Sequence, residues 1–232
     1  MNTPTFSPQA PPPCPKDVAL EAHCKRAIAF DIETIANKAV LAIPGIIPKF
    51  TAGGNVKDPI KIAAKIKEKE EKWISEVGLN PNYGQIVVIV LKNSTIEHVF
   101  QGDDEKFIVE SAWKVLEHWE ELVTFNGKAF DLPYLIRRSW YLGVPPTISY
   151  DLFPFRSVNH YDLRLLLNHG NKTAKGKLSD YAKLKLGIDI FGEGSEVQEM
   201  YDNGKIDDIA RHCLDDTTVT WELFKSMGKY YL

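Results

Sequence analysis

Two acids close a segment that otherwise reads as a buried strand. In RAIAFDIETIA, residues 26–36, period-two alternation puts Ile28, Phe30 and Ile32 on one face and Ala27, Ala29, Asp31 and Glu33 on the other. Two neighbouring carboxylates repel unless a cation lies between them, or unless the strand runs out into water that solvates both. A third acid, Asp131, stands in LVTFNGKAFDLPYLIRR, after a short apolar run and an Asn126–Gly127 turn. Aspartate ahead of Leu132–Pro133 suits a helix N-cap; one carboxylate oxygen can cap while the other faces a cation. The last candidates lie in DDIARHCLDDTTVTWELFKSM. At about 100° per residue, an apolar stripe there runs through Ile209, Cys213, Thr217, Thr220 and Phe224. Asp216 sits on the rim of that stripe, and His212 is four residues earlier on the same face. Asp215, four residues after Arg211, points outward to where a surface pair can form. Any one such side chain is ordinarily solvated or satisfied by a neighbour. Separated segments that each set an acid beside a core element, one with an imidazole a turn away, together suggest a site.

These residues need elements to hold them. Residues 26–33 read as a strand, and the Pro- and Gly-rich stretch 36–56 as irregular. VKDPIKIAAKIKEKEEKWISEVG reads as a helix with Ile62, Ile66, Trp73 and Val77 on its apolar side and mixed charges on a solvated face. QIVVIVLKN and TIEHVFQ, joined at Asn93–Ser94, give a hairpin signal. GDDEKFIVESAWKVLEHWE is amphipathic at helical spacing. LVTF is a short strand, FDLPYLIRRSWYLG a helix, YDLRLLLN a short strand or helix, and KLSDYAKLKLG a helix closed by Gly187. A final helix starts near Ile206. Strands and helices mix without strict alternation, which describes an α/β fold with a mixed sheet.

The first 15 residues hold six prolines and lack a basic or apolar leader pattern. Residues 1–20 are therefore read as a disordered Pro-rich tail, and 21–232 as a single domain. The 44% apolar and 25% charged composition is that of a soluble globular protein. No run of about 18 apolar residues is present, so no membrane-spanning helix is expected. Cys14, Cys24 and Cys213 form no CxxC pair and no even set, which disfavours a disulfide framework or zinc site and points to a reducing, cytoplasmic setting. A net charge of −3 disfavours a nucleic-acid coat protein but leaves room for an enzyme that grips a short strand locally.

DIE at 31–33, NGKAFDLPYL at 126–135 and HCLDD at 212–216 resemble the three motifs of DEDD-superfamily 3′–5′ exonucleases. YDLRLLL followed by KLSDYAKLKLGI, and GEGSEVQEMYDNGKIDDIARHC, are similar to stand-alone exonucleases related to the proofreading domain of family B DNA polymerases. The resemblance covers roughly residues 26–228 and implies a ribonuclease H-like fold, a mixed five-stranded sheet flanked by helices. It implies metal-ligand roles for Asp31, Glu33, Asp131 and Asp216; His212, a turn before Asp216, is read beside them as a catalytic residue. The family-B branch has Tyr four residues before the last Asp, where this chain has His212. The histidine branch has its His five residues before. The chain thus combines the spacing of one branch with the residue of the other.

Phosphodiester hydrolysis needs a water nucleophile and relief of charge on the phosphate, and two divalent ions about 3.5–4 Å apart supply both. Oxygen donors select Mg²⁺ or Mn²⁺ over zinc. By analogy with the family, Asp31 bridges both ions, Glu33 and Asp216 complete the nucleophile-side ion, and Asp131 holds the other. An imidazole of ordinary pKa about 6.5 suits His212 to take the water's proton. For substrate grip, Asn126 is placed to bond the terminal nucleotide, and Phe130 is either core or a stacking wedge. Lys175 and Lys177, with Lys172, sit on a loop that either meets backbone phosphates or is merely solvated. The expected partner is a nucleic acid, a single-stranded DNA 3′ end first and RNA second. A proofreading role would need a separate polymerase. The other alternative is a binding module that kept the fold and lost activity.

Overall fold

The computed structural model describes residues 15–231 apart from 55–56, 172–174 and 191–193. Helix α1, Pro15–Arg26, leads into strand β1, Ala27–Ala36. α1 begins inside the stretch expected to be tail; residues 1–14 lie outside the described residues. α2, Lys38–Leu41, is a single turn within the region expected to be irregular, capped by the Asn37 side chain on Val40 N. α3, Pro59–Val77, starts where Asp58 caps Ile60 N and Pro59 takes the first helical position, whose N–H would have had no helical partner.

β2, Gly84–Lys92, and β3, Glu97–Gln101, form the hairpin. Its turn is held by Asn93 Oδ1, which accepts from the amides of Thr95 and Ile96 and from the Thr95 hydroxyl. α4, Glu105–Leu116, is capped by Asp104; β4, Glu121–Thr124, and α5, Asp131–Leu142, follow. β5, His160–Asp162, runs directly into α6, Leu163–Leu167, so YDLRLLLN is a strand end and then a helix, with Asp162 as the cap between them. α7, Leu178–Tyr181, continues as a π turn over Ala182–Leu186 and stops at Gly187 in the left-handed conformation. α8, Val197–Asp202, and α9, Ile206–Tyr231, come last.

The strands form a five-stranded mixed sheet in the order β3-β2-β1-β4-β5. β1 lies at its centre, antiparallel to β2 and parallel to β4. The alternation read in the sequence is the alternation of the two faces. Ile28, Phe30 and Ile32 pack with Ile108, Ala112 and Trp113 of α4 and with Leu132 and Leu135 of α5. On the other face, Ala27 and Ala29 pack with Val219, Trp221 and Phe224 of α9. Their small side chains let the long helix lie close to the sheet. The buried Glu105 carboxylate joins α4 to α5: Arg138 donates to it through Nε at 2.8 Å and Nη2 at 2.7 Å, and the Ile86 amide of β2 donates at 2.8 Å. That bidentate pair fixes α5, and with it Asp131, against the central strands.

Candidate active site

The site forms where β1, the start of α5 and the middle of α9 meet. β1 delivers Asp31 and Glu33 on the α9 face, opposite Val90 and Val88 of β2. Just past Glu33 the register slips so that Thr34 faces Ile86, leaving Val87 as the extra residue of a β-bulge. Bulges increase local twist and re-aim side chains, and this one lies beside a carboxylate of the site.

Asp131 is not the N-cap of α5. Phe130 holds that position without a side-chain cap, and Asp131 occupies the first turn. Its Oδ1 accepts from the Ile32 amide of β1 at 3.3 Å. A carboxylate in the first helical turn already faces the positive end of the helix dipole, and here it is also bonded to the strand that carries Asp31 and Glu33. The preceding turn explains the reach. Asn126 adopts φ 71°, and a Cβ on Gly127 would lie 2.5 Å from Thr124, so the Asn–Gly pair is what the tight exit from β4 requires. Asp162 holds this turn, accepting from Asn126 N and Lys128 N at 3.0 Å each.

α9 supplies the remaining groups. Ile209, Cys213, Thr217, Thr220 and Phe224 are all buried, as the stripe predicts. His212 is buried between two acids, with Nε2 3.5 Å from Glu33 Oε1 and Nδ1 4.0 Å from Asp216 Oδ1. Cys213 donates from Sγ to Asp31 Oδ2 at 3.3 Å. Ligand atoms of Asp31, Glu33 and Cys213 all lie within 4.8 Å of one another.

The electrostatics are those of crowded acids. Burial, then the charges of Asp131, Glu33 and Asp216, holds Asp31 well above the usual carboxylate range. Burial, then Asp216 and Asp131, does the same for Glu33. Asp131 is pushed up to about 7, by burial first; the backbone N–H groups of Asp131 and Ile32 oppose the shift, and the charge of Asp162 adds to it. Burial and the charges of Asp31 and Glu33 raise the Cys213 thiol, which keeps its hydrogen on sulfur and available to donate. Asp216, rather than Asp215, is the α9 acid acting on Asp31 and Glu33, as its place on the stripe predicts. Hard oxygen donors that repel one another in a half-buried cluster fit a divalent cation, which would remove both the repulsion and the cost of burial.

The candidate substrate residues divide. Lys177 lines a cleft with Leu178, Ser179, His212 and Asp216, whereas Lys175 is exposed and is not among its walls. Lys172 lies outside the described residues. Asn126 flanks the site, but its side-chain oxygen accepts from Arg164 Nη1 at 2.9 Å, so it reaches a ligand together with that arginine. Phe130 is half-buried, 5.4 Å from the Tyr134 ring and packed on the α4–α5 core. Sequence reading missed Asp162, Lys128 and the Cys213 donor. Only Asp162 carried a local signal, an aspartate directly ahead of the apolar run LRLLL.

Acids from the central strand of a mixed sheet and from two helices flanking it thus converge on one site. The profile of a family described as a predicted 3′-5′ exonuclease related to the exonuclease domain of PolB matches residues 79–230, and the chain belongs to that family. The match includes Asp131, His212 and Asp216; Asp31 and Glu33 precede it. The chain is 28% identical over 134 residues to DNA polymerase 1 of Aeropyrum pernix, covering 52% of this chain and 14% of that protein. It is 26% identical over 158 residues to the DNA polymerase of Pyrococcus glycovorans, covering 59% and 20%. It is 24% identical over 188 residues to DNA polymerase 1 of Sulfolobus acidocaldarius, covering 73% and 20%. The match therefore spans at most a fifth of each relative. In the structure of the family B DNA polymerase from Pyrobaculum calidifontis, 24% of the chain superposes on 87% of this one, with a TM-score of 0.61 and 18% identity. The expected α/β fold with a five-stranded mixed sheet is thus borne out. Among the described residues, no helix is long and apolar enough to cross a membrane.

Proposed function

We propose that this 3′–5′ exonuclease shortens single-stranded DNA from a free 3′ end and releases nucleoside 5′-monophosphates, with two Mg²⁺ or Mn²⁺ ions held by Asp31, Glu33, Asp131 and Asp216. The observation that carries the reading is the convergence of Asp31 and Glu33 on β1 with Asp131, bonded to the Ile32 amide, and with His212 and Asp216 of α9, a crowding of acids that a divalent cation relieves. When bound, such ions supply charge neutralisation at the phosphate and activation of the attacking water. His212, buried between Glu33 and Asp216, takes the proton of that water on its imidazole. Asn126 with Arg164 and Lys177 with its cleft hold the terminal nucleotide and its phosphate. The free thiols of Cys24 and Cys213 support a reducing, cytoplasmic setting.

The test is digestion of end-labelled oligonucleotides in Mg²⁺, in Mn²⁺ and in EDTA, with matched DNA and RNA and with circular single-stranded DNA. Stepwise loss from the 3′ end of linear DNA, abolished by EDTA, is expected, with circles resistant. Faster digestion of RNA would reassign the substrate. Rapid cutting of circles would make the protein an endonuclease, and no release in either metal would leave a binding module.

A further inference from the structure

Between α5 and β5 the chain holds an unusual loop. Phe153 is 64% exposed, Phe155 80% and Val158 70%. Single exposed apolar residues are ordinary; a cluster of them on a fixed backbone marks a contact surface. This backbone is fixed. The buried Lys128 ammonium donates to the Phe153 carbonyl at 2.8 Å and also to the Arg156 carbonyl. Asp151 Oδ1 accepts from Phe153 N at 3.1 Å and from Arg156 Nη2 at 3.0 Å, and its other oxygen lies 4.0 Å from Lys128 Nζ. The Phe155 ring lies against Gly170, where a Cβ would come within 2.7 Å of the ring edge.

The anchor also fixes where the loop stands. Lys128 belongs to the turn between Asn126 and Asp131, so the aromatic side chains are tied to the segment that delivers a catalytic acid. Leu152 and Pro154 of the loop wall a cleft with Asn126, Lys128, Arg164 and Leu165. The Arg156 guanidinium lies 4.2 Å from the centre of the Phe153 ring, which puts a cation beside an aromatic face.

We infer that the loop 152–158 is a stacking platform for single-stranded nucleic acid, taking nucleotides on the 5′ side of the scissile bond while Arg156 meets their phosphates. This deepens the exonuclease reading and rests on it. Exposed rings take bases of any sequence through their π-faces, and arginines track the backbone. A rigid platform tied to Asp131 keeps the strand in register as the end is shortened. An apolar protein partner would not call for guanidinium groups among the rings.

The experiment measures binding of fluorescein-labelled oligothymidylates two to eight nucleotides long by anisotropy, in EDTA, where the loaded enzyme is not needed. Wild-type affinity should rise with length. In the Phe153→Ala/Phe155→Ala double variant that rise should flatten, with about tenfold or greater loss for the longest oligomer, and Phe155→Trp should retain it. Arg156→Gln should lower the salt slope of binding by about one. In Mg²⁺ the double variant should show a raised KM for the eight-mer with kcat kept. Equal loss for the two-mer and the eight-mer would overturn the inference and make the loop a support for the catalytic turn. Wild-type binding by the double variant, in a protein that still digests oligonucleotides, would overturn this inference alone. A wild-type protein that neither binds nor digests them would overturn the exonuclease reading with it.

Discussion

Cys213 donates its thiol hydrogen to Asp31 Oδ2 across 3.3 Å, from the buried face of α9 to the centre of the sheet. Asp31 is one of the acids proposed to hold the metal, so the thiol would orient a carboxylate that has to be held still. Cys213→Val keeps the bulk and removes the donor; Cys213→Ser keeps a donor. Partners of this kind typically contribute 10–100-fold to metal affinity. Mn²⁺ titration followed by the paramagnetic signal of the free ion should show a loss in that range for the valine variant and little for serine. Equal affinity in all three proteins would make Cys213 packing alone.

The metal-free protein should become less stable as pH rises. Asp31, Glu33 and Asp131 are all raised in the folded state, Asp131 to about 7, so the native protein holds more protons than the unfolded chain. The stability this contributes is complete below about pH 4, the ordinary carboxylate pKa; the share of Asp131 is lost as pH climbs through about 7, and the raised Asp31 and Glu33 make stability fall in the same direction. Each kcal/mol lost lowers Tm by about 2–4 °C in a chain of this size. Thermal melts from pH 5 to 8 in EDTA should fall accordingly, and saturating Mg²⁺ or Mn²⁺ should restore the alkaline end by binding the native state. A metal-free Tm that rises over this range would contradict the raised acids.

Asp31→Asn and Asp216→Asn should leave the metal-free fold at least as stable as wild type near pH 8 and abolish nuclease turnover. Asp216 raises both Asp31 and Glu33, and Asp31 is itself raised by three neighbouring acids, so each substitution relieves like-charge crowding. Asp215→Asn, one residue away and outside that set of mutually acting acids, should keep turnover. Calorimetry with a labelled-oligonucleotide assay separates the two effects. Loss of turnover in the Asp215 variant and not the Asp216 variant would reverse the helix-face assignment.

Periodicity made the candidate site acids legible because each sits at the edge of a regular element. Period two placed Asp31 and Glu33 opposite the Ile28–Phe30–Ile32 face, and the helical period placed Asp216 on the rim of the α9 stripe. Asp131 was found, but its local role was misread. Composition favoured an N-cap, and the bond that the side chain makes is to Ile32, 99 residues away in sequence. Lys128 and Cys213 likewise act through partners far along the chain, 25 and 182 residues away, and no local pattern reports those. α1 escaped because it adjoins a proline-rich stretch and has little amphipathic pattern of its own.

The resemblance to the family-B branch leads to a tyrosine where this chain has His212, and the histidine's position makes a prediction that differs from a tyrosine's. The imidazole is buried, 3.5 Å from Glu33 and 4.0 Å from Asp216, so it faces the acids that would hold the nucleophile-side ion. A tyrosine there could orient a water; neutral imidazole can also accept its proton near neutral pH. A general base gives activity that rises through its own pKa and then levels, and its removal costs about 10²–10⁴-fold. The acidic limb also contains the carboxylates, which must lose protons before they hold metal, so the profiles are taken at saturating metal. His212→Ala and His212→Tyr should both alter the acidic limb of kcat, with tyrosine restoring activity only in part. Metal affinity, measured separately by Mn²⁺ titration, should change far less than kcat, which a merely structural role of the imidazole would not produce. Full activity with an unchanged limb in His212→Tyr would remove any special role for the imidazole and leave water activation to the ions alone.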